Sequence, residues 1–193
     1  MGKHWLQGDL SYPARLPLHW AVVVVVILVL PLAFLLGKWS FPIWVSFIVW
    51  AEYFTLGAKL DTWKVVIPSL PFGVIIGGAA WVSCSVAIAP HLGKWGLMYA
   101  LMIFSILWIA LLVYGLRWTR AWTVGTLAVF NGLTLFLAVY FTGAYPQIGG
   151  VVGNSQAAVW WAGFWTILMA VFGWFLGWLN CFLTFGREKT KQS

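Results

Sequence analysis

Glu52 is the only acidic side chain inside an apolar run of this chain, in Trp50-Ala51-Glu52-Tyr53-Phe54. An ionised carboxylate in hydrocarbon costs several kcal/mol or more, so the group must face a bundle interior, a cavity or a partner, and it is the leading functional candidate. The alternative is that it lies in the inner third of its helix and reaches the cytoplasmic interface, where Lys59 or Arg117 can satisfy it. Asn131 falls near mid-run, where an amide must find partners because lipid offers none; it either lines a polar path or fixes helix packing, the commoner use. Asn180 lies at the depth of Glu52, and a hydrogen bond between the two is expected. Ser83, Ser85, Ser105 and Thr134 are further polar groups at depth.

The aromatic content adds a second class of candidates. Of 16 tryptophans, Trp20, Trp39, Trp63, Trp95, Trp118, Trp122, Trp160, Trp161 and Trp178 fall near the ends of apolar runs and read as interfacial belt residues. Trp44, Trp50, Trp81, Trp108, Trp165 and Trp174 lie deeper, where an indole N–H needs a partner; they narrow a conduit, line an apolar pocket or, more commonly, pack on lipid or a neighbouring subunit. Two GxxxG spacings, Gly73 to Gly77 and Gly173 to Gly177, permit close helix approach. They occupy corresponding places if the chain divides into two halves of three spans, which would then be inverted relative to each other, as in many transporters. The repeated Gly37-Lys38-Trp39 and Gly93-Lys94-Trp95 point instead to a tandem division.

The elements that must carry these residues follow from composition. The 193 residues are 63% hydrophobic and 8% charged, with mean hydropathy +0.93, which excludes a soluble globular domain. The expectation is an all-α membrane bundle, a single domain over 1–193 with six spans at about 16–37, 39–57, 65–89, 95–115, 121–143 and 158–185. With the N-terminus inside, nine basic residues (Lys3, Arg15, Lys59, Lys64, Arg117, Arg120, Arg187, Lys189, Lys191) fall on the cytoplasmic side and two (Lys38, Lys94) outside. Both termini are therefore expected in the cytoplasm of a bacterium, with the chain multi-pass in the inner membrane. The first run contains Pro31 and ends without a small-x-small cleavage pattern, so it reads as a retained span. Pro68 and Pro71 predict a kinked or partly unwound start to the third span.

Several chemistries have no support in the residues. The net charge of +7 is spread singly and in pairs between apolar runs, which excludes nucleic-acid binding. His4, His19 and His91 are scattered, and Cys84 falls in the outer half of the third span while Cys181 lies near the inner end of the sixth, so no metal, haem or disulfide is expected. No cofactor is called for, and there is no nucleophile with an adjacent base, so the chain reads as no enzyme.

The run Phe41-Pro42-Ile43-Trp44-Val45-Ser46-Phe47-Ile48-Val49-Trp50-Ala51-Glu52-Tyr53-Phe54, followed by Gly73-Val74-Ile75-Ile76-Gly77-Gly78-Ala79-Ala80-Trp81, resembles a family of small bacterial inner-membrane proteins known as a domain of unknown function. The resemblance covers roughly Lys38 to Gly143 and implies a bacterial multi-span protein without implying an activity; Glu52 departs from the small or neutral residue expected there. Two functions remain in view. One is a channel or facilitator for a small neutral or weakly ionised solute, working as a homo-oligomer in the lipid bilayer, with Glu52, Asn131, Asn180, Ser83, Trp50 and Trp81 as candidate pore or polar-contact residues and Gly73, Gly77, Gly173 and Gly177 as packing residues. The other is a non-catalytic subunit of a larger membrane complex such as an oxidase, monooxygenase or transporter, held to its partner subunits by its aromatic surface and basic tail.

Overall fold

The computed structural model describes residues 16–58, 62–116, 125–147, 151 and 155–185. Among them the chain forms helices joined by turns: α1 Leu18–Gly37, α2 Ile43–Thr55, α3 Trp63–Leu92, α4 Gly96–Leu116, α5 Thr126–Thr142 and α6 Gln156–Phe185. Four of these, α1, α3, α4 and α6, are long and apolar enough to cross a membrane. The described residues are thus all-helical, with four helices fit to cross a membrane.

The two remaining helices are shorter than the expected spans. With 13 and 17 residues, α2 and α5 rise only ~20 and ~26 Å, against a hydrocarbon core of about 30 Å. Pro42 delays the start of α2, because the residue before proline avoids the helical region. Gly57, at φ 102°, ends it with a left-handed turn. The expected start of the fifth span at Ala121 lies outside the described residues, as do all but Lys64 of the basic residues assigned to the cytoplasmic side. Trp118 and Trp122 lie outside them too.

Two features of α1 and α3 differ from simple proline rules. Pro31 sits within an uninterrupted α1, and α3 passes through Pro68 and Pro71 as α-helix rather than unwinding. The irregularity comes just afterwards, as a π-helical segment over Gly73–Ala79. A π segment widens the helix and offsets its carbonyls, and the Trp108 indole N–H on α4 donates to one of them, the Ile76 carbonyl, at 2.7 Å.

Contacts fix the helix directions. Running along α2 and α6, Phe41 meets Trp165 with ring centroids 4.6 Å apart, Gly173 abuts Ser46 and Gly177 abuts Tyr53. Near their ends the Cys181 thiol lies 3.4 Å from the Ala58 carbonyl oxygen. The two helices are therefore parallel. In the same way Gly73 meets Val129, Gly77 meets Leu133 and Gly78 meets Phe136, so α3 and α5 are parallel. Opposed to α3 run α4, through Ala89 against Gly96 and Ile76 against Trp108, and α6, through hydrogen bonds of Ser83 with Gln156. The core lies where α2, α3, α5 and α6 meet, with Val49, Leu70, Val74, Phe136 and Ala162 at its centre. α1 and α4 lie outside it, with Phe34, Ile103 and Ile106 among their exposed side chains.

Candidate functional site

Along α2, Val45, Val49 and Glu52 follow one stripe at i, i+4 and i+7, and that stripe turns toward the core. Glu52 is only 3% exposed, and neither carboxyl oxygen has a hydrogen-bond partner. It does not extend to the surface; Lys59 and Arg117, the partners proposed for such an extension, lie outside the described residues. The side chain that comes within interaction range is Asn131 on α5. Both carboxyl oxygens remain short of hydrogen-bond geometry with it.

The expected Glu52–Asn180 hydrogen bond does not form. Gly173, Gly177, Asn180 and Thr184 share one stripe of α6, and its glycines lie against α2. Asn180 is fully buried, yet its Nδ2 is unpartnered and its Oδ1 takes a long, 3.5 Å bond from the Thr184 hydroxyl. The helix rotation that seats Gly177 on the Tyr53 ring directs Glu52, one residue away, toward α5 instead. Glu52 and Asn131 are thus brought together, and Asn180 supplies a second unsatisfied buried polar group.

The other candidates are dispersed. Ser83 lies far along α3, where its hydroxyl and carbonyl hydrogen-bond the Gln156 amide. Trp50 packs with Val25, Val29 and Leu176 on the α1 side, and Trp81 with Leu112, Leu116 and Leu133 on the α4 side. Their indole nitrogens, like those of Trp165 and Trp174, lack partners. Trp20, Trp39, Trp63, Trp95 and Trp160 are exposed, while the Trp161 N–H donates to the Pro146 carbonyl at 2.7 Å. In the turn after α5, burial raises the pKa of the Tyr145 phenol. Between α3 and α6 a crevice of about 10 Å³, lined by Val66, Leu70, Ile167 and Trp174 among others, is barely the size of a water molecule.

Each glycine pair packs on a helix from the other half of the chain. Gly73 and Gly77 of α3 lie against α5, and Gly173 and Gly177 of α6 lie against α2. Exchanging the halves α1–α3 and α4–α6 turns the first pairing into the second. Likewise α4 packs on α3 while α1 packs on α6. The exchange is incomplete, because α5 also packs on α6 while α2 makes no matching packing with α3 among the described residues; the pairings that do match relate three-helix halves. Glu52 and Asn131 sit on the two helices, α2 and α5, that the exchange interconverts.

Three residues or contacts were not picked out from the sequence: Gly132, Gln156 and the Trp108–Ile76 bond. A Cβ at Gly132 would land on the Leu70 carbonyl oxygen, and the spacing Ala128-x-x-x-Gly132 was its available signal. Gln156, the first residue of α6, had none. No family model, curated protein or solved structure matches this chain.

Proposed function

We propose that this chain is a six-span bacterial inner-membrane facilitator for a small neutral or weakly ionised solute, with both termini cytoplasmic and a homo-oligomer as the working form. The observation that carries this reading is the meeting of an unpartnered, buried carboxyl group with an amide on the two helices that correspond in opposed halves of the chain. Many transporters place their solute site between inverted halves, and unsatisfied polar groups there are free to bind what passes. α2 and α5 complete the count of six as short spans. The crevice between α3 and α6 is too narrow for a solute, and a path along it would need the two helices to move apart.

The test is solute-driven swelling of proteoliposomes, followed by light scattering with urea, formamide and glycerol as probes. Wild-type protein should accelerate equilibration of at least one probe over empty vesicles, and Glu52→Gln should slow it several-fold. Unchanged flux in Glu52→Gln removes that residue from the path. Purification of stoichiometric foreign subunits with the chain would favour the accessory-subunit function instead.

A further inference from the structure

A buried carboxyl group has two ordinary ways to be stable. As a fixed carboxylate it sits against a cation, and as a fixed neutral acid it donates its O–H to a well-placed acceptor. Glu52 does neither among the described residues, since both its oxygens are buried without a hydrogen bond. Its neighbour Asn131 is an amide, which can accept from a protonated carboxyl through Oδ1 or donate to a carboxylate through Nδ2. On α6, the Asn180 Nδ2 is also open, and the Thr184 hydroxyl reaches back to the Asn180 carbonyl at 2.9 Å. Asn180 and Thr184 thus form a second buried polar pair on α6, separate from the Glu52 carboxyl.

The titratable side chains on the surrounding elements are Tyr53 on α2, Cys181 on α6, the exposed Lys64 on the first turn of α3 and, toward the far ends of α3 and α5, Cys84, His91 and Tyr140. None of them hydrogen-bonds the Glu52 carboxyl. Lys59, Asp61, Arg117 and Arg120 lie outside the described residues.

We propose that Glu52 is an exchangeable proton site, loaded and unloaded from water, with Asn131 turning its amide to serve either state. In loading, a proton from water forms the carboxyl O–H bond; in unloading that bond breaks and the proton returns to water, with no change of oxidation state. The site deepens the facilitator reading on which it rests, because a bound proton then accompanies or gates the movement of a weakly ionised solute.

Infrared spectroscopy of the full chain in phosphatidylethanolamine and phosphatidylglycerol vesicles tests it directly, through the C=O stretch of a protonated carboxyl. The expected wild-type spectrum holds a band that shifts on transfer from light to heavy water and fades as the buffer is taken from mildly acidic to alkaline. Glu52→Gln should lose that band. Asn131→Leu, which keeps the branched heavy-atom shape, should move it to higher frequency by removing the amide. A Glu52 band that neither exchanges nor responds to pH identifies a fixed neutral acid and overturns the proposal. So does the absence of any Glu52 band across the range, which identifies a fixed carboxylate. Solute flux is measured separately: an exchanging band with normal flux in Glu52→Gln keeps the proton site and sinks the role in transport, and lost flux without exchange does the reverse.

Discussion

At the scale of single residues, Glu52 is a place where stability is given up. A buried polar group without a partner costs about 1–3 kcal/mol, and the surrounding packing must supply it. Glu52→Met, similar in volume and free of polar oxygens, should therefore raise the thermal unfolding temperature in detergent, by an amount corresponding to about 1–3 kcal/mol. A lower unfolding temperature would mean that the carboxyl is satisfied in the folded protein. Trp108 is the converse case, since its N–H covers the Ile76 carbonyl in the π segment at 2.7 Å. Trp108→Phe should destabilise the protein by about 0.5–2 kcal/mol and speed hydrogen exchange of the amides over 73–79, read by mass spectrometry. The sequence marked Glu52 as an acid within an apolar run but left open whether it faces the interior or the interface. Its partner was not legible, because residue type and depth are set by sequence, whereas the choice between Asn131 and Asn180 depends on how α2 is rotated about its axis.

At the scale of elements, glycine decides which helices meet. A Cβ at Gly73 would strike the Val129 carbonyl, at Gly132 the Leu70 carbonyl, and at Gly173 the backbone of Ser46. Backbone cannot step aside as a side chain can, so alanine at each of these three positions should cost about 1–3 kcal/mol or more. At Gly77 the nearest atoms are the side chains of Leu133 and Leu112, at 3.3 and 3.4 Å, and at Gly115 the space is open. Gly77→Ala should be milder and Gly115→Ala near neutral or slightly stabilising. Size-exclusion profiles after graded heating would rank the five variants, and equal losses at Gly73 and Gly115 would contradict the packing. The GxxxG spacings correctly marked Gly73, Gly77, Gly173 and Gly177 as contact positions, yet spacing does not say against what. The π segment was also out of reach, since prolines displace hydrogen bonds near themselves while the bundle determines where the displaced register is absorbed.

At the scale of the whole molecule, α3 and α5 run one way and α2, α4 and α6 the other, as an alternating path through a membrane requires. On the proposed six-span reading, sidedness is one binary choice, for which the distribution of Lys and Arg predicts cytoplasmic termini. With Cys84 and Cys181 replaced by serine, His91→Cys in the turn between α3 and α4 should react with a membrane-impermeant maleimide in intact cells. A cysteine placed at Ser193 should react only after permeabilisation, and the reverse pattern would invert the topology. Composition and hydropathy by themselves pointed to apolar helices fit for a membrane, because too few charged groups are present to solvate the surface and the apolar runs match the thickness of lipid. They also placed six helices near their observed positions, since Gly, Pro and charge interrupt those runs. Only the tertiary structure decided that α2 and α5 are short, that the glycine pairs reach across opposed halves, and that Glu52 faces Asn131. Those outcomes depend on the rotation and register of packed helices, which are chosen by the contacts of many side chains at once and leave no local mark in the sequence.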